Sequence, residues 1–203
     1  MPGHGTGMKV AGRIRALAHK VATGLASFHD DQRGMGAVEF ALIVPMLIVV
    51  YLASFELTTS LSVAKRVTKA AATVADIVTQ SSTVSKTSLA TMSDVTKAIL
   101  VPYASTGMVL KISGITVDAT KNAKVAWSWS SSGTAPYAVN SNATVPSSML
   151  FADTFLVRSE LAVPHELLTF IPNPGGVDIK NITVSREYYF RQRLNNKIDC
   201  SNC

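Results

Sequence analysis

The chain has 203 residues, 47% apolar and 16% charged, with a formal net charge of +6. That length gives one ordinary domain plus an appendage, and the apolar content excludes a disordered chain. The 19 Lys and Arg are scattered, without an aromatic-basic cluster or a reading motif, which argues against nucleic acid as a partner.

Residues 1–34 read as a basic, glycine-punctuated leader, with Lys9, Arg13, Arg15, Lys20 and Arg33 against Asp30 and Asp31. Ile14, Leu17, Val21, Leu25 and Phe28 recur at helical spacing. Three readings stay open: an amphipathic helix on a membrane surface, a flexible cytoplasmic tail, and a transit-type targeting segment.

Met35–Phe55 is 21 residues with the single charge Glu39, and at about 1.5 Å per residue it reaches about 30 Å, one hydrocarbon thickness. This stretch is a transmembrane candidate. A cleaved secretory signal fits less well, because the run exceeds the usual h-region and no small-x-small site follows. If the span began at Phe40 and left Glu39 among head groups, only 16 residues to Phe55 would remain, about 24 Å. Length therefore favours a buried, partnered Glu39, and an ionisable group inside a span is a functional hypothesis by default. Pro45 removes a backbone donor and marks a bend, which membrane helices tolerate.

Beyond the span, Leu57, Leu61, Ala64, Val67, Ala71, Val74 and Val78 continue at spacings of three and four. They predict an extension of the helix over residues 56–80 whose apolar stripe packs on a folded domain or on neighbouring copies. Gln80–Thr91 reads as a Ser/Thr-rich connection, and Ser93–Tyr103 as a short helix capped near Ser93 or Asp94.

The period then changes to two. Met108, Leu110 and Ile112 make a first strand, and the jump of apolar phase to Ile115 and Val117 predicts a bulge at Gly114. Val125, Trp127 and Trp129 make a second strand, Phe155, Val157, Leu161 and Val163 a third with Arg158 and Glu160 opposite, and Ile182, Val184, Tyr188 and Phe190 a fourth. The expected fold class is α+β: a long N-terminal transmembrane helix continuing into a helix that packs on a small antiparallel sheet, over residues 81–203, covered on one side. Ser130–Ser148 and the turn cluster Ile171–Gly176 are its long surface connections.

Chemistry-bearing residues are sparse. His165 is the lone histidine of the sheet domain and reads as an ordinary surface residue; no nucleophile, phosphate-loop or metalloprotease motif is present, so neither an enzyme nor a cofactor is expected. Asp118, Asp153 and Asp178 stand apart, without the spacing of a metal-dependent adhesion site, and no metal site is expected. Trp127 and Trp129 are read either as core or as an exposed contact ladder. The sequons at Asn142 and Asn181 say little. Cys200 and Cys203 end the chain as C-S-N-C, either a short disulfide or two idle thiols; a disulfide would imply an extracytoplasmic compartment.

Arg33-Gly34, then Ala37-Val38-Glu39-Phe40-Ala41-Leu42, Pro45, a further apolar stretch and Glu56 closely resemble the N-terminal motif of TadE-like proteins, pilin-like components of the bacterial tight-adherence (Flp-type IVb) pilus machinery. The resemblance covers about Arg33–Thr79. It implies a minor pilin or pseudopilin, cut by a prepilin peptidase between Gly34 and Met35, with Glu39 fifth in the mature chain and aligning subunits. Partners would be the membrane, the peptidase, other pilin subunits and the assembly platform. The larger TadG-type relatives carry a metal-dependent adhesion domain whose motif and length are missing here. The competing reading is a signal-anchored extracytoplasmic binding or adhesion protein outside any pilus. Basic residues are balanced on the two sides of the span, so the motif and the cysteines, not the positive-inside rule, place the N-terminus in the cytoplasm and the C-terminal domain outside the inner membrane.

Overall fold

A computed structural model describes residues 35–167, 181–194 and 196–203. The leader, including Gly34, and the Ile171–Gly176 cluster lie outside the described residues. The chain divides into two compact units, 1–54 and 55–203.

The first element, α1 (Met35–Thr79), is one 45-residue helix with Pro45 inside it. Its part within the second unit buries Val63, Val67, Ala70, Ala71, Val74, Ala75 and Val78 at 2% exposure or less. Three alanines in that row let the helix backbone approach its partner closely, and the β-branched valines fill the space between. A short strand β1 (Thr83–Val84) follows, then α2 (Lys86–Leu100). Its cap is Ser85, whose hydroxyl accepts from the Ser88 amide while Ser88 accepts from the Ser85 amide. This capping box starts the helix eight residues before the expected cap at Ser93, so half of the presumed Ser/Thr-rich connection, from Lys86 on, is helical.

Strands β2 (Val109–Val117), β3 (Ala123–Ser130), β4 (Thr154–Glu166) and β5 (Asn181–Arg191) form a four-stranded antiparallel sheet in the order β3-β2-β4-β5. One face packs on α1 and α2: Leu110, Ile112, Trp127, Phe155, Val157, Leu161 and Val163 share a cluster with the buried row of α1 and with Leu89 and Leu100. Trp127 is thus core, and its Nε1 donates to the Ile198 carbonyl at 2.7 Å; Trp129 is partly buried against the same cluster. The fold is α+β, a long N-terminal helix with its extension on a small antiparallel sheet.

One expectation is refined and two are corrected. The bulge expected at Gly114 is present in the β2–β3 ladder, whose register shifts between Gly114 and Ile115; with β4 the register runs straight through (Gly114↔Val157, Ile115↔Leu156), so the apolar phase jump in β2 is also a change of face. Ile115 and Val117 belong to a second small core on the opposite face with Leu156 and Val145. The irregularity lies in β3, where Ala126 is the extra residue between the partners of Gly114 and Ile115. Gly114 is demanded by crowding: a Cβ there would lie 2.5 Å from the Trp127 ring and 2.6 Å from Phe155 Cζ. Second, the sheet is covered on both sides, because the long connection after β3 lays Val145, Ala143 and Leu150 over the outer face. The same connection closes the edge of β3 through Val125 N to Ser141 O, Asn140 N to Val125 O and Ala143 N to Ala123 O. Third, Leu57 and Leu61 are 62% and 55% exposed, so the packed stripe of α1 begins only at Val63.

The C-terminal strand β6 (Asp199–Cys200) pairs parallel with β1. Asn202 Oδ1 accepts from the Lys86 amide at 2.7 Å, which fastens the chain end to the start of α2. Arg193 and Asp76 form an ion pair at 2.6 Å, tying the chain after β5 to the last turns of α1.

Candidate membrane and assembly surface

In the first unit, Met35, Val38, Phe40, Leu42, Met46, Val49 and Tyr51 are all more than 60% exposed. A helix apolar all round and uncovered by its own chain needs an apolar surrounding. It meets the length and hydropathy of a membrane span, with a mean hydropathy of 2.3 over its most apolar stretch and none of that stretch buried. Glu39 projects from this helix, exposed, four residues after Met35. Gly36 has nothing within 4 Å of a Cβ position, so a close approach to the rest of the chain does not explain the glycine.

At the end of the second unit where α1 enters it, Glu56 faces the sheet. Its carboxylate is 3.8 Å from His165 Nε2, with side-chain exposures of 17% and 15%. This corrects the view of His165 as a surface histidine: Pro164-His165 closes β4 against α1. His165 pairs across the sheet with Ile182, and ten residues further along α1 from Glu56, Arg66 donates to the Ile99 carbonyl at 3.1 Å and lies 5.6 Å over the Tyr103 ring. Nothing in the sequence brings Glu56 and His165 together; only the β4 register does.

The outer face of the sheet holds a polar cluster that periodicity did not reveal. Tyr137, from the long connection, donates its hydroxyl to Glu160 at 2.8–2.9 Å and stacks on the Arg158 guanidinium at 4.3 Å. Arg158 is nearly buried, with Glu160 Oε2 3.4 Å from its Nε. Burial, and then the hydrogen bond to Glu160, raises the Tyr137 pKa above its ordinary value. Burial also raises that of Tyr189, with Arg158 acting in the opposite direction. The cluster fastens the connection to the sheet by a charge-assisted bond.

Asp118 accepts from Thr120 and Asn122 in a turn, and those bonds, the Thr120 hydroxyl foremost, hold its carboxyl below the usual range. Asp153 lies in the turn before β4, with φ of 54°, and Asp178 lies outside the described residues. Cys200 and Cys203 are joined by a disulfide. Among the described residues no three His, Cys, Asp or Glu side chains converge as metal ligands.

In a comparison with known families, residues 34–76 fit the model of the family described as TadE-like protein. The matched stretch is the exposed apolar helix, Glu39, Pro45, Glu56 and most of the packed row of α1. The match covers 43 of the 203 residues. No curated protein and no solved structure matches the chain.

Proposed function

From the premise that residues 34–76 are TadE-like, we propose that the chain is a minor pilin or pseudopilin of a tight-adherence (Flp-type IVb) pilus. A prepilin peptidase cuts it after Gly34, and α1 inserts it in the inner membrane with the leader in the cytoplasm and the sheet domain outside. The observation that carries this reading is spacing. A cut after Gly34 makes Met35 the first residue and Glu39 the fifth, whereas a cut after Gly36 would make Glu39 the third.

The chemistry gives that spacing a purpose. A carboxylate at the edge of an apolar helix is costly unless a cation offsets it. The amine created at Met35 of a neighbouring subunit supplies that cation only after cleavage, which couples processing to assembly. The disulfide at the chain end supports an oxidising compartment for the sheet domain. The role is structural, not enzymatic: the chain contributes a packing helix and an exported domain.

Glu39→Ala tests the pairing. Membrane insertion is expected to remain and incorporation into the pilus to fall at least tenfold; unchanged incorporation contradicts the proposal. Glu39→Gln separates charge from shape, and it is expected to behave like the alanine variant.

A further inference from the structure

The chain beyond β5 returns to the start of α2 and is held there in two different ways. Ile198 is 1% exposed and its carbonyl accepts from Trp127 Nε1 at 2.7 Å, so the core itself anchors this residue. Residues 199–203 lie outside that anchor. Strand β6 is only two residues long, and the amides of Asp199 and Ser201 reach the β1 side through the Ser82 carbonyl at 3.4 Å and the Val84 carbonyl at 3.1 Å. Pairing this short does not hold a chain segment in water by itself. Ser201, Asn202 and Cys203 are exposed. Even so, Asn202 Oδ1 accepts from the amide of Lys86, the first residue of α2, at 2.7 Å. The amides of a first helical turn have no partner inside the helix. Ser85 serves that of Ser88, and Asn202, 116 residues away from Lys86, serves this one.

The disulfide decides whether that contact persists. It closes a ring spanning residues 200–203, with Ser201 and Asn202 inside it. Cys200 is partly buried against the main core cluster, so the bridge ties the exposed Cys203, and Asn202 with it, to a seated residue. Cys203 also stands between two clefts. One, of about 450 Å³, is lined by Lys86, Thr87 and Trp129, and the other, of about 210 Å³, by Trp127, Phe155 and Ile198; Cys203 lines both.

We propose that Cys200 and Cys203 are a redox-controlled clasp. Oxidised, the pair holds Asn202 on the first turn of α2 and β6 on β1. Reduced, residues 199–203 leave β1 and α2 while Ile198 stays seated, and the partition between the two clefts is withdrawn. The clasp lies wholly within the second unit and does not depend on α1 as a span. Its oxidant is an external disulfide, by class a disulfide-donating protein. The exposed Cys203 attacks as thiolate and breaks the donor's S–S bond, releasing one donor thiolate; the Cys200 thiolate then attacks Cys203 Sγ, forming the internal bond and releasing the second. Two chain thiols give up two electrons and two protons, and the donor disulfide becomes a dithiol. On the reading of the sheet domain as exported, the clasp closes only after export, where such donors are found.

Amide hydrogen exchange tests the clasp. The full chain in detergent is compared oxidised and after tris(carboxyethyl)phosphine, with exchange resolved to single amides by fragmentation mass spectrometry. Exchange at Lys86 and Ser201 is expected to be on the order of tenfold faster in the reduced chain, the restraint that so short a ring places on the open segment, with the mid-sheet amides of β2 and β4 unchanged. The double variant Cys200→Ser, Cys203→Ser is expected to match the reduced chain without reductant. Asn202→Ala, kept oxidised, is expected to speed Lys86 and leave Ser201 protected. Equal exchange at Lys86 and Ser201 in the oxidised and reduced chains overturns the proposal, since the segment then holds without its bridge. Loss of protection throughout β2 and β4 on reduction overturns it as well, by making the bridge a staple of the whole unit. Lys86 unchanged in Asn202→Ala overturns the link to α2.

Discussion

One helix carries two opposite kinds of apolar surface. Up to Leu61, α1 exposes large side chains, Phe40, Leu42, Met46, Leu57 and Leu61 among them; from Val63 on it buries small ones, Val67, Ala70, Ala71, Val74 and Ala75. Hydropathy treats both as apolar, yet size separates them. A helix packed on a sheet gains by close approach, which alanine and valine permit. A helix surrounded by lipid needs apolar area and no complementary shape. The boundary between the two regimes is abrupt, falling between Leu61 and Val63.

The largest effect expected from breaking this contrast is at the buried half. Val67→Asp places an uncompensated carboxylate against the sheet, at a cost of several kcal/mol, and should abolish the cooperative thermal transition of the folded unit. Leu61→Asp, in detergent, should leave that transition within about 2 °C of the parent, since surface changes usually cost under about 0.5 kcal/mol. Equal damage at the two positions would erase the distinction.

A smaller effect is expected at Gly114→Ala, where the new Cβ meets Trp127 and Phe155. Overpacking of this kind costs about 1–3 kcal/mol, read as a lower denaturant midpoint with an unchanged slope. Smaller still is Tyr137→Phe, which removes the bond to Glu160 and should cost about 1 kcal/mol near neutral pH. The sign of its pH dependence follows from the raised pKa. The tyrosine's contribution is complete below its ordinary value of 10.0 and is lost as pH rises through the higher folded-state value. Urea unfolding of the parent should therefore weaken more steeply above pH 10 than that of the phenylalanine variant; parallel curves would remove Tyr137 from the account.

The sequence made the two ends of the argument legible and left the middle dark. Periodicity located all four sheet strands, because one face of each packs on helices and alternation survives. The long apolar helix that makes the candidate span was legible in the uninterrupted apolar run. The irregularity at Gly114 was legible in the phase jump, but the second core that Ile115 and Val117 join was not, because a phase jump looks the same whether a ladder bulges or a strand changes face. Ser85 was missed as a cap because Ser88, rather than a glutamate, completes the box. Glu56 with His165, and Tyr137 with Arg158, were invisible for a different reason: each joins residues far apart in the chain through sheet register or loop docking, for which a single sequence carries no signal. The apolar stripe from Leu57 to Val78 was correct in spacing and wrong in extent, since spacing does not report side-chain size.

The central claim is that this TadE-like segment is processed and that Glu39 acquires its meaning from the cut. N-terminal sequencing, with intact mass, of the membrane-bound protein from cells that contain a prepilin peptidase tests it most directly. A mature chain beginning at Met35 is the predicted result. A chain that retains Met1, or one that begins at Ala37 and so places Glu39 third, would contradict it.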